Sequence, residues 1–131
     1  MLNTPFSPWP SFTPEEADAV QRVVMSNKVN YWTGNETREF EKEFAALCNV
    51  QHCLGVANGL DALHLILRAM EIGPGDEVIV PPFTYIATVE AVLFIGALPV
   101  FAEIDETLCL SAEGIRKAVT PKTKAICLVH M

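Results

Sequence analysis

The chain has 131 residues, half of them apolar, with nine Lys and Arg against sixteen Asp and Glu and a formal charge of −7. A chain of this length reads as one domain that buries about two thirds of the surface its unfolded form exposes, which excludes disorder. Without a basic stripe to collect phosphates a nucleic-acid partner is excluded, and without about 18 consecutive apolar residues a membrane-spanning helix is excluded.

Pro5, Pro8 and Pro10 alternate with Phe6, Trp9 and Phe12 and forbid a helix, so residues 5–12 read as an extended arm that docks on a surface such as a second subunit. The segment Met1-Leu2-Asn3-Thr4-Pro5 has neither the basic start nor the apolar stretch of a signal peptide, and a cytosolic protein is expected. Thr13-Pro14-Glu15-Glu16 starts a helix with a capping box, continued by Ala17, Val20, Val23 and Val24 to about Ser26. Residues 29–34 form a loop. A second helix is expected from Glu36 to Cys48, with Phe40, Phe44, Leu47 and Cys48 on one face.

From residue 52 short apolar runs alternate with helical stretches. The runs are Cys53 to Ala57, Glu77 to Val80, Pro99 to Ile104 and Lys124 to Val129, and the helices fall near 60–71, 85–95 and 111–119. Nearly continuous apolar runs predict strands covered on both faces, and the alternation predicts an α/β fold with a mostly parallel sheet. The first of these helices is apolar over much of its circumference and is expected to be deeply buried, with His64 as a hydrogen-bonded buried histidine. Gly73-Pro74-Gly75-Asp76 is a turn, and His52 is a surface residue. The last apolar run has no helix after it to cover it, which reads as a piece of a larger domain.

The loop Ala57-Asn58-Gly59-Leu60-Asp61 precedes a crossover helix, where an open α/β sheet binds anions; the same residues also make an ordinary turn with an N-cap. Tyr85 follows the second run through Pro81-Pro82-Phe83-Thr84 and can stack on a flat ring or simply pack at a helix start. His130, at the end of the last run, is placed on the same rim. A P-loop, a dinucleotide fingerprint and a GxSxG elbow are all absent. Cys48, Cys53, Cys109 and Cys127 make no CxxC and have no histidine at ligand spacing, so reduced thiols and no metal are expected.

The run Ala57-Asn58-Gly59-Leu60-Asp61-Ala62-Leu63-His64-Leu65, then Ile72 to Pro81, Gly96 to Phe101, Ile104-Asp105, Thr120 to Ile126 and Val129-His130, together with Tyr31-Trp32-Thr33-Gly34 and Phe40-Glu41, resembles the DegT/StrS family of pyridoxal-phosphate-dependent sugar aminotransferases. The resemblance implies an aminotransferase fold of type I. Residues 1–34 would be an N-terminal arm, helix and loop, and 35–131 the start of the cofactor-binding large domain, within one incomplete domain. It implies a phosphate cup at Asn58, Gly59, Leu60 and Asp61, with the amides of Gly59, Leu60 and Asp61 as donors. It implies ring stacking by Tyr85 and, more weakly, substrate contact by Thr33 and Gly34. Leu60 stands where the family usually has a hydroxyl residue, a loss on the order of 1–2 kcal/mol of cofactor affinity.

The resemblance further implies pyridoxal 5′-phosphate as cofactor, a nucleotide-linked keto sugar and an amino donor such as glutamate as partners, and a homodimer; the uncovered run Lys124 to Val129 also predicts self-association, as a homodimer or a larger species. None of Lys28, Lys42, Lys117, Lys122 and Lys124 stands in the family's Schiff-base motif, so the chain alone is expected to be inactive. A sugar dehydratase of the same family and a non-catalytic binding module are the alternatives.

Overall fold

The computed structural model describes residues 9–131, which divide between Gly55 and Val56 into two units, each described by itself. The arm expected over residues 5–12 lies partly outside the described residues; Trp9 and Phe12 are exposed.

In the first unit, helix α1 spans Pro14–Met25 and α2 spans Glu36–Leu47. The capping box at α1 forms as expected. Thr13 N–H donates to Glu16 Oε2 at 2.6 Å and Glu16 N–H donates to Thr13 Oγ1 at 3.3 Å. These bonds hold the Glu16 carboxyl below its ordinary range, so this cap weakens only as pH falls through the lowered value. Phe40 and Phe44, one turn apart on α2, bring their rings to 5.5 Å.

The run Cys53 to Ala57 is not a strand. Its backbone pairs with no strand among the described residues, and Gly55 N–H donates instead to the Glu41 carboxylate at 2.8 Å. An apolar run becomes a strand only when a neighbour supplies the ladder, so composition alone misreads this segment.

In the second unit, α3 (Gly59–Ala69), β1 (Glu77–Val80), α4 (Ala87–Phe94), β2 (Leu98–Phe101), α5 (Ala112–Ala118) and β3 (Thr123–Ile126) follow in order. The three strands form one parallel sheet in the order β2-β1-β3, pairing Ile79 with Val100 on one side and Ile126 on the other. Only the central strand meets the expectation of two covered faces: Val78, Ile79 and Val80 have no exposed surface. β2 and β3 are edges of this sheet, and Leu98, Phe101 and Ile126 remain about half exposed.

Val78 and Val80, two residues apart and so on one face, pack with Leu67 of α3 and Ala91 and Val92 of α4. The α3 helix is less buried than its composition predicts. Leu67 is enclosed, while Leu65, Ile66 and Met70 are about half exposed. His64 is half-buried, makes no hydrogen bond among the described residues, and sets its ring edge-on to Phe94 at 6.1 Å. Gly96 closes α4 with φ +75°, a conformation that a side chain strains, and a Cβ there would also stand 3.1 Å from Pro74 Cγ.

Two side-chain ties pin the connections. Thr120 Oγ1 donates to Glu77 Oε2 at 2.5 Å, joining the approach to β3 with the start of β1. Ser111 caps α5 by accepting from Gly114 N–H at 2.9 Å, and its own hydroxyl donates to Glu103 O at 3.2 Å.

Candidate cofactor cleft

The cleft is built from two helix starts. Asn58 caps α3: its Oδ1 accepts from Asp61 N–H at 2.9 Å, and its Nδ2 donates to Asp61 Oδ2 at 3.0 Å. Asn58 O takes the Ala62 N–H. The amides of Gly59 and Leu60 therefore have no acceptor among the described residues, and they sit at the positive end of the helix. A Cβ added at Gly59 would meet nothing within 4 Å, so the space above its backbone is open. Of the three amides expected to serve an anion, that of Asp61 is already engaged by the cap.

Pro81 and Pro82 end β1 because neither can donate to a ladder, and the chain turns through Phe83 and Thr84 to Tyr85. Tyr85 O accepts from Thr88 N–H at 3.1 Å, and the hydroxyls of Thr84 and Thr88 lie 2.9 Å apart. Thr88 is the buried polar residue of this segment, and that bond satisfies its hydroxyl. The turn is thus fixed while Tyr85 stays 79% exposed, leaving its ring open to a ligand.

Asn58, Gly59, Leu60 and Tyr85 line one cleft of about 670 Å³ together with Leu63, Ala87, Thr88 and Glu90. Asp61 serves it through the Asn58 cap rather than by lining it. Glu90, in the first turn of α4, was not legible as a cleft residue, because an acidic side chain on a helix reads as a solvated face; Thr88 could have been found, since it stands three residues after Tyr85 at helical spacing. His130 is exposed, four residues past β3, and does not line the cleft. None of the lysines lines it either.

Thr33 and Gly34 belong to the first unit. Asn30 Oδ1 accepts from the Thr33 amide at 3.1 Å and its hydroxyl at 3.2 Å, and Gly34 N–H donates to Asn30 O at 2.7 Å. A Cβ at Gly34 would run into Lys28 O, so this turn closes only around glycine.

All four cysteines are free thiols, and burial pushes that of Cys127 up. Among the described residues no His, Cys, Asp and Glu cluster could hold a metal, and no helix is long and apolar enough to cross a membrane.

The chain is 57% identical over 99 residues to UDP-N-acetyl-3-dehydro-alpha-D-glucosamine 3-aminotransferase of Acidithiobacillus ferrooxidans, covering 75% of this chain and 27% of that protein. An aminotransferase from Psychrobacter cryohalolentis superimposes with TM-score 0.91 at 53% identity, over 97% of this chain and 32% of that one. A Streptococcus pneumoniae protein assigned as a sugar aminotransferase, solved in a PLP form and a PMP form, matches with TM-scores of 0.79 and 0.80 at 36% identity, over 95–96% of this chain and 31% of that one. The chain spans about a third or less of the length of these relatives. The fold is that of the type I aminotransferases, whose DegT/StrS members bind pyridoxal phosphate. Residues 10–131 match the model of the DegT/DnrJ/EryC1/StrS aminotransferase family, and the chain belongs to that family.

Proposed function

We propose that this chain is the cofactor-holding N-terminal part of an enzyme that transfers an amino group, from a donor such as glutamate, to a nucleotide-linked keto sugar. The observation that carries the reading is one cleft that joins two open helix-start amides, Gly59 and Leu60, to an exposed ring, Tyr85. Amides at a helix start suit a phosphate, and an aromatic face suits a pyridine ring. The relative from Acidithiobacillus, named for its action on a UDP-linked sugar, supports the substrate class.

In this reading the Gly59 and Leu60 amides donate to phosphate oxygens, and Asn58 and Asp61 hold the helix start in shape. Tyr85 covers one face of the ring, and Thr84 and Thr88 fix the turn that presents it. Pyridoxal phosphate, when bound, supplies the carbonyl that exchanges amino groups and the electron sink. We assign Thr33 and Gly34 to substrate contact, residues 35–131 to the start of the large domain, and the whole protein to a cytosolic homodimer.

Two results test this. In a full-length protein carrying this segment, Tyr85→Ala weakens cofactor retention by roughly 1–3 kcal/mol, and Tyr85→Phe costs much less, because the ring face makes the contact. Equal retention by both variants, measured by dialysis and absorbance, would make Tyr85 a packing residue. The 131-residue chain alone, mixed with pyridoxal phosphate, glutamate and a UDP-linked 3-keto sugar, shows no turnover, since no lysine lines the cleft. Turnover above background, or a borohydride-trapped adduct at one defined lysine, defeats that expectation.

A further inference from the structure

Glu90 is the one carboxylate lining the cleft, and it has no hydrogen-bonded or ion-paired partner among the described residues. No Lys, Arg or His lines the cleft. Helical side chains lean toward the N-terminus, so Glu90, in the first turn of α4, leans toward the end of the helix where Tyr85 and Ala87 stand. A phosphate on the Gly59 and Leu60 amides therefore shares its cleft with a like charge, an arrangement that weakens the hold on a bare anion.

We infer that Glu90 makes the cleft selective for a phosphate ligand that carries a cation beside the phosphate, namely the amine form of the cofactor over forms without the amine. The inference rests on the cofactor reading above. In pyridoxamine phosphate the aminomethyl and phosphate arms stand on neighbouring ring carbons. The ammonium thus enters the cleft with the phosphate and gives Glu90 an opposite charge. Leu60 adds no hydroxyl to hold the phosphate, so the hold on it depends more on what the rest of the cleft supplies.

The test compares pyridoxamine 5′-phosphate with 4-deoxypyridoxine 5′-phosphate, which has the same ring and phosphate but a methyl in place of the aminomethyl arm. Repulsion between Glu90 and the phosphate cancels from the ratio of their dissociation constants. Calorimetry on a full-length protein carrying this segment should give a preference for the amine that falls about three- to tenfold in Glu90→Gln. Glu90→Asp should keep part of it. In the wild-type protein the preference should also shrink in about 1 M salt, where screening acts within ~3 Å, a readout that needs no variant. A ratio unchanged by Glu90→Gln, or by salt, while both ligands still bind, overturns this inference and leaves the cofactor reading standing. Binding of neither ligand overturns both.

Discussion

Gly114→Ala is expected to lower the stability of the chain by about 3 kcal/mol or more. The position looks harmless in sequence, since alanine favours helices and Gly114 lies within α5. The structure reverses that sign. A Cβ at Gly114 would stand 2.6 Å from Glu103 O, 2.8 Å from Glu103 N and 2.8 Å from Ser111 Oγ. Two of these atoms are backbone, and Glu103 O is already held by the Ser111 amide and hydroxyl. The segment cannot yield without releasing the cap of α5. Urea unfolding checks this. A midpoint equal to or above that of the wild type would mean that α5 moves away at little cost, and the close approach would carry no energetic weight.

Ile79→Ala is expected to cost about 2–5 kcal/mol and Ile79→Val about 0.5–1.5 kcal/mol. Ile79 is the largest of the fully enclosed side chains, at 0% exposure, and it stands in the central strand with a neighbour on each side. Its amide neighbours leave the backbone little room to collapse into the cavity: Ile79 O accepts from Cys127 N–H at 2.8 Å. The graded pair separates a packing loss from a backbone effect, because both variants keep the same main chain. Equal losses for the two, read from thermal melts, would contradict a volume-dependent cause.

What could be read without coordinates was whatever local chemistry decides. The α1 cap follows from Thr13, Pro14 and Glu16 alone, and the bounds of β1 follow from the Gly-Pro-Gly-Asp turn that precedes it and Pro81 that ends it. Asn58, Gly59 and Tyr85 were legible for a related reason: they stand at loop-to-helix junctions, where backbone groups and rings are left over. Cys53 to Ala57 was misread because being a strand depends on a neighbour, which the run itself does not encode. The burial of α3 was overestimated because apolar composition states what a helix could cover, not what is there to cover it. Glu90 is not legible because what makes it a cleft residue is the packing of α3 against α4, which the sequence around Glu90 does not encode.

The strand order β2-β1-β3 also has a consequence in time. β1 is the first strand to leave the ribosome, yet both its neighbours come later, and the second is complete only at Ile126, 46 residues after Val80 (126 − 80). At about 5–20 residues per second, the most apolar segment of the sheet waits roughly 2–9 s for its second partner. During synthesis the centre of the finished sheet is thus an open edge on both sides. It is the segment on which a nascent-chain chaperone has most reason to act, and a slowed ribosome between residues 80 and 126 would expose it for longest.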